Sequence, residues 1–312
     1  MIELRHLRVL RAVAQEGSLA GAGRTLGYSQ PTVAHHLATL EAHFGTPLVR
    51  RSTLGTQLTE AGRQLLPHAE AVLRRVNVAE LTVRELVEHG ASSVRVGTFP
   101  SAGALLLPPA VRRLRDRQLR VSVSEGELPT LLERLRAYEL DAALVFSQPG
   151  DLLDLGEEFL LHSLLFDPLM LILPRDHRLA AQDRVSLGDL RDEGWIVGTT
   201  DWDPCDRLLS WACAREGFEP VHEMRTDDYG VIQGFVAAGL GVALMPRLGL
   251  DHVHGGVVVR EVAGPRLTRR IGLAVPRISA SPGIEPLLEA LREQAERLVR
   301  GWRAPDADVA DA

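Results

Sequence analysis

No lysine occurs in the 312 residues, so all 35 basic side chains are arginines and any cationic contact to a phosphate is made by a planar, two-pronged guanidinium. Only two cysteines are present, Cys205 and Cys213; they cannot build a disulfide framework and lack metal-site spacing. His252 and His254 form a loose pair in a glycine-rich stretch, without further ligands nearby to complete a zinc set. No apolar run approaches the ~20 residues needed to span a bilayer, and Met1 to Gln15, with Glu3, Arg5, Arg8 and Arg11 among apolar residues, does not read as an export signal. The expected location is the cytoplasm, with no membrane partner. Also missing are a G-x-S-x-G elbow, a phosphate loop and a dinucleotide fingerprint. An enzyme would have to be argued from fold analogy alone, so neither an enzymatic role nor a cofactor is expected.

The charge is unevenly spread. Residues 1 to 59 carry six arginines against three glutamates, +3, which leaves −9 for the remainder of a chain whose net charge is −6. A small nucleic-acid module on a larger acidic body gives this asymmetry. Within the basic part, Ser18 can cap a short helix ending at Gly27, and Ser29 a second one ending at Gly45. Gln30 and Pro31 fall in the second helix's first turn, where proline's missing N–H is not needed. Val33, Leu37, Leu40 and Phe44 form one apolar stripe, while Gln30, Thr32, His35 and His36 crowd the N-terminal half. Two short capped helices joined by a tight turn have the layout of a helix-turn-helix that reads the major groove of DNA. A small helical bundle with no such role is the alternative. Adjacent helical residues point about 100° apart, so at most one of His35 and His36 can face a groove.

A helix with Leu4, Leu7, Leu10, Val13 and Ala14 on one face precedes this pair, and an alternating segment from Thr46 to Thr59, folded about Thr53 to Gly55, reads as a two-stranded wing. Arg50 and Arg51 sit where a wing meets phosphates. From Thr59 a long helix runs to about residue 89. Leu65, Ala69, Val72, Val76, Ala79, Val83 and Leu86 recur along it at alternating spacings of four and three, a coiled-coil seam that calls for a second chain; packing on its own domain is the alternative. Pro67 should bend this helix near its start. After a hinge at 91–93 the pattern becomes alternating strands and helices, including a helix from Gly103 to Arg117 and strands at 94–99, 168–173 and 271–275. The expected fold class is therefore multidomain. An all-α winged helix-turn-helix spans 1–59, a linker and dimerisation helix 60–89, and a bilobal α/β domain 92–303. Its first lobe spans about 92–163 and 269–303 and its second about 164–268, followed by a disordered acidic tail at 304–312. Ligands bind where strand ends open on a cleft.

The combination resembles the LysR-type transcriptional regulators. The likeness is carried by Leu-Arg-His-Leu-Arg-Val-Leu-Arg-Ala-Val-Ala at 4–14, Gly-Ser-Leu-Ala at 17–20, Ser-Gln-Pro-Thr-Val at 29–33 and Leu-Thr-Glu-Ala-Gly at 58–62. Glu125-Gly126, Leu140 to Leu144 and Ala237 to Pro246 extend it through the acidic body. The resemblance implies a promoter-binding regulator that responds to a small-molecule effector in a periplasmic-binding-protein-like domain. It also implies self-association as a dimer or tetramer, with RNA polymerase a further candidate partner. Carried onto matching positions, it places Ser29, Gln30, Pro31, Thr32, His35 and His36 at the DNA, with Arg50, Arg51 and Thr53 on the wing. Ala34 stands where the family often has serine, Val49 where it often has phenylalanine, and Leu128 where a hydroxyl residue is common.

For the effector, strand-end loops and the resemblance point to Pro100, Ser101, Ala102, Glu127, Phe146, Ser147, Thr199, Thr200, Trp202, Asp227 and Tyr229. Ser101 is expected to open a helix at Gly103 whose N-terminus suits an anion, whereas Asp201, Asp203, Asp206, Asp227 and Asp228 suit a cation or simply cap helices. The effector's charge stays open at this point. Cys205 and Cys213 lie where peroxide-sensing relatives carry a redox pair, so a thiol-based sensor is a rival reading. On one helix, however, eight residues put them about 12 Å apart, beyond the ~7 Å a disulfide tolerates. A solute-binding protein shares the bilobal design but requires export.

Overall fold

The computed structural model describes residues 1–303 apart from 53–54, 90–92, 149, 151–152, 154, 157–158, 202 and 278–280. Thr53, Trp202, the start of the hinge and the tail at 304–312 therefore lie outside the described residues, as do the side chains of Arg51 and Leu86. The chain divides into two compact units, Met1–Gly90 and Ala91–Ala312.

In the first unit α1 (Leu4–Glu16), α2 (Leu19–Leu26) and α3 (Gln30–Phe44) are followed by β1 (Val49–Ser52), β2 (Gly55–Leu58) and α4 (Glu60–His89). Ser18 Oγ accepts from Gly21 N at 3.0 Å and Ser29 Oγ from Thr32 N at 3.3 Å, while Gly17, Gly27 and Gly45 end their helices in the left-handed conformation. These caps satisfy backbone groups that helix ends leave orphaned. Leu7, Val9, Leu10, Val13, Val33, Leu37 and Leu40 form one core with Leu48, Ala69 and Leu73. Phe44, expected on the buried stripe, is instead exposed, stacked edge-on against His43 at the last turn, where the helix runs past the body it packs on. The wing is tied on both sides. Glu41 Oε1 accepts from Leu48 N and Val49 N, and Thr56 N donates to Gly17 O at 2.7 Å. Gly62 lets α4 pass so close to the wing that an added Cβ would lie 2.1 Å from Leu48 O.

In the second unit, β3 (Ser93–Thr98), α5 (Pro100–Leu105), α6 (Leu107–Asp116), β4 (Arg120–Glu125), α7 (Leu128–Arg136) and β5 (Ala142–Ser147) build one lobe. The helix expected over 103–117 is thus two helices and starts earlier. Pro108 and Pro109 lack the N–H donors that would continue the first, so a new helix begins at Leu107. β6 (Phe159–Pro174) leads into the other lobe, with β7 (Arg184–Val185), β8 (Gly194–Val197), α8 (Pro204–Arg215), β9 (Val221–Arg225), α9 (Tyr229–Ala237), β10 (Ala243–Pro246) and β11 (Val257–Val262). β12 (Thr268–Pro276) returns the chain to the first lobe, where α10 (Ile284–Arg303) packs on α6.

The main sheet has the order β4-β3-β5-β12-β6-β11-β7, with β10 also pairing β6 and a separate parallel pair β8-β9. β6 and β12 are the crossing strands. The first half of β6 pairs with β12, and its second half with β10 and β11. One apolar core fills the first lobe around Leu106, Leu131 and Leu144. Two more lie in the second lobe, around Trp195 and Leu171 and around Ile172 and Val236.

Candidate DNA interface and effector cavity

α3 begins with no acidic side chain in its first turn, so its N-terminal backbone dipole is uncompensated. Ser29, Gln30, Pro31 and His35 are exposed there, as is Arg50 on β1. Thr32 is half-buried, its hydroxyl 2.8 Å from that of Ser29, so it finishes the cap. His36 turns inward. Its ring lies 5.5 Å from that of His6 and 5.7 Å from that of Tyr28, which leaves His35 to face outward. His6 is buried, and burial pushes its pKa below the usual imidazole value. Its Nδ1 accepts from Glu3 N, as suits a neutral ring.

The seam on α4 divides. Ala69 is buried and Leu65 half-buried against the unit's own core, together with Leu73, a residue off the expected stripe. Beyond them Val72 and Val83 are 45% and 61% exposed, Ala79 is exposed and Val76 half-buried. The N-terminal turns of α4 therefore pack into the unit's own core, while Val72, Ala79 and Val83 leave apolar surface open. Next to Val72, a mainly apolar groove of about 670 Å³ runs between α1 and α4, lined by Ile2, Leu4, Leu7 and Leu65 among others.

Between the lobes of the second unit lies a cavity of about 70 Å³. That is room for a few waters and well below the ~300 Å³ at which ligand pockets typically begin. Pro100, Glu127, Phe146, Asp227 and Tyr229 line it as expected. Ser101, Ala102 and Ser147 are buried behind its wall. Ser101 lies inside α5 and does not open a helix at Gly103, because Pro100 takes the first helical position. Thr199 donates to Asp227 through both its N–H and its hydroxyl, and neither it nor Thr200 reaches the cavity.

The most deeply set group had not been anticipated. Arg269 on β12 is 3% exposed and meets Asp167 on β6 at 2.9 Å. It donates to Ser101 Oγ at 2.6 Å, and its guanidinium lies 5.2 Å and 5.0 Å from the Phe99 and Phe146 ring centres. Burial, the largest single influence, opposes its charge, but Asp167 together with Tyr229 and Cys205 outweighs it and raises the Arg269 pKa. The one sequence signal was an aspartate inside an otherwise apolar run, Leu164-Leu165-Phe166-Asp167-Pro168-Leu169.

Acids dominate the remaining polar wall. Asp203 caps Cys205 N, Asp206 accepts from Gly198 N at 2.8 Å, and Asp228, outside the wall, caps Gly230 and Val231. Burial, reinforced by Asp203, lifts the Asp206 carboxyl to about 7; Glu127 is raised by burial and by Asp227 and Asp203. Cys205 and Cys213 occupy opposite ends of one continuous helix, α8, both as free thiols. Burial raises both thiols, Cys213 to about 12, the reverse of a reactive thiolate. Among the described residues no cluster of three or more His, Cys, Asp or Glu side chains could hold a metal, and no helix is long and apolar enough to cross a membrane.

Two family profiles cover nearly the whole chain: residues 4–63 match the bacterial regulatory helix-turn-helix proteins of the lysR family, and residues 88–296 the LysR substrate binding domain. The small neutral protease regulatory protein of Streptomyces coelicolor is 32% identical over 310 residues, covering 97% of this chain and 90% of that protein. A full-length OxyR variant from Pseudomonas aeruginosa is 25% identical with a TM-score of 0.60, covering 94% of this chain and 95% of that one. Full-length CbnR in complex with its target DNA shares the fold, with a TM-score of 0.60 at 21% identity over 94% of this chain and all of that one.

Proposed function

The chain belongs to the LysR family of bacterial transcriptional regulators, and from that premise we propose that a small molecule in the inter-lobe cavity controls how paired helix-turn-helix units engage a promoter. The observation that carries this reading is a cavity between two lobes joined by only two crossing strands, with its buried cation held from both strands by Arg269–Asp167. At about 70 Å³ the cavity must enlarge to admit a metabolite, so an effector acts by favouring a more open arrangement of the lobes. Its walls favour a neutral or positively charged molecule. Glu127, Asp203, Asp206 and Asp227 line it, while the one arginine among the lining residues is already neutralised by Asp167.

On the DNA side, Gln30 and His35 are assigned to base edges, with Arg50 and Arg51 on phosphates. Ser29, Pro31 and Thr32 set the close approach of the helix start, and His36 acts by packing against His6 and Tyr28. Pairing of two chains is supported by the exposed Val72 and Val83 and the neighbouring groove on α1. A thiol-based switch has less support, because both thiols are raised and separated along an intact helix.

Fluorescence anisotropy with the intergenic DNA upstream of the chain's own gene tests the proposal. Log affinity should fall linearly with log salt, by roughly 0.9 per phosphate contact. Arg50→Ala should weaken all sequences alike and lower that slope by about one, whereas Gln30→Ala should cost about 1–3 kcal/mol at one base pair. Absence of a salt slope would refute DNA binding, and a thermal-shift screen in which no small metabolite stabilises the protein at saturating concentration would refute the effector role.

A further inference from the structure

Beside the C-terminal end of α10 lies a groove of about 860 Å³ that shares no lining residue with the inter-lobe cavity. Its base is apolar, formed by Met170, Val262, Leu267 and Val299, with Phe166 standing 56% exposed and Trp302 half-buried at the edge. Three arginines surround it. Arg247 lies 6.0 Å over the Trp302 ring, and Arg266 and Arg300 are exposed. None of the three has a carboxylate at ion-pair distance among the described residues, in contrast to Arg184 on the rim, which pairs with Glu261 at 3.3 Å. Glu296 is the other acid on the wall, so the four arginines outnumber the acids by two. This excess stands out on a unit that holds 25 arginines against 33 acids.

The groove adjoins the crossing strands β6 and β12, and Arg269 of β12 also lines the cavity. Phe166, Pro168 and Thr268 line the groove, while the intervening Asp167 and the adjacent Arg269 form the buried pair at the cavity.

We infer that this groove is a second ligand site, one that takes a small aromatic anion. Its volume falls in the range of ligand pockets. Phe166, Trp302 and the apolar base match a flat hydrocarbon ring, and guanidinium forks with no carboxylate partner among the described residues match a carboxylate in plane. The inter-lobe cavity, lined by four acids, has the opposite charge preference, so the two sites differ in ligand class.

Titration calorimetry on the full-length protein with 2-naphthoate tests this, with 2-naphthamide as the uncharged counterpart. One molecule of 2-naphthoate should bind per chain, and 2-naphthamide at least about tenfold more weakly, because it offers no charge to the guanidinium groups. The double variant Arg266→Ala/Arg300→Ala should weaken 2-naphthoate by at least about tenfold; both side chains are exposed and make no ion pair among the described residues, so folding is not at stake. Glu127→Ala, at the cavity, should leave the affinity within about twofold, since Glu127 lines the cavity and not the groove. No binding by the parent chain up to about 5 mM overturns the assignment. So does an affinity indifferent to the two arginines, or one strengthened by Glu127→Ala, which would put the anion in the cavity. A change in association state on sedimentation of the double variant, without ligand binding by the parent, would make the groove a self-association surface instead.

Discussion

Asp206 offers a direct test of the electrostatics of the cavity. Burial and the neighbouring Asp203 lift its carboxyl from an ordinary 3.8 to about 7. The native state therefore keeps a proton that the unfolded chain releases as pH rises from about 4 towards 7. Stability from this group is fully present below pH 4 and is lost as pH climbs through 7, because the unfolded state binds fewer protons across that window. At about 1.4 kcal/mol per pH unit, the loss has an upper bound of about 4 kcal/mol. Solvent at a half-exposed cavity edge reduces this to about half. Asp206→Asn keeps an acceptor for Gly198 N and removes only the ionisation. The variant should gain on the parent as pH rises from 5 to 7 and hold a constant lead above that. A shift of about 2–4 °C per kcal/mol for a unit of this size makes the lead about 4–8 °C. All four tryptophans, Trp195, Trp202, Trp211 and Trp302, belong to the second unit, so their fluorescence on heating follows that unit alone. A difference between the two proteins that does not change between pH 5 and pH 8, or that shrinks, refutes the reasoning.

Three further outcomes follow from the packing. Arg269→Met leaves Asp167 buried without its partner and should destabilise the second unit by about 3–5 kcal/mol, whereas the double variant Arg269→Met/Asp167→Leu should recover much of that loss in a denaturant titration. Gly62→Ala places a Cβ 2.1 Å from the Leu48 carbonyl and should loosen the wing, read as lost DNA affinity with the second unit's melting unchanged. Val83→Glu puts a charge on the exposed stretch of the α4 seam and should shift sedimentation towards single chains, while Leu73→Glu should unfold the first unit, because Leu73 is buried in its core.

Local signals make the first unit legible in the sequence. Ser18, Gly27, Ser29, Pro31 and Gly45 each fix a helix end within four residues of themselves, and the structure finds every one of those ends in place. The exposure of Phe44 and the choice of His36 over His35 to turn inward share a cause. Helical periodicity says which residues share a face, but what covers that face depends on α1, which brings His6 to His36 and stops short of Phe44. The α4 seam shows the same limit: its spacing could not tell that Ala69 is taken by its own core and Val83 is not.

The sequence by itself determined the family, the order of helices and strands in the first unit, and the division into a basic N-terminal unit and an acidic body. Each of these is written in caps, periods and charge counts that act over a few residues. Tertiary structure alone decided the chemistry of the inter-lobe cavity. Asp167 and Arg269 are 102 residues apart, and nothing local marks them as partners until β6 and β12 pair. It also decided which of the expected effector residues line the cavity. A strand or helix start turns successive side chains to opposite sides, and only the packed lobes settle which side is the cavity: Pro100 and Phe146 face it, while Ser101 and Ser147 are held behind.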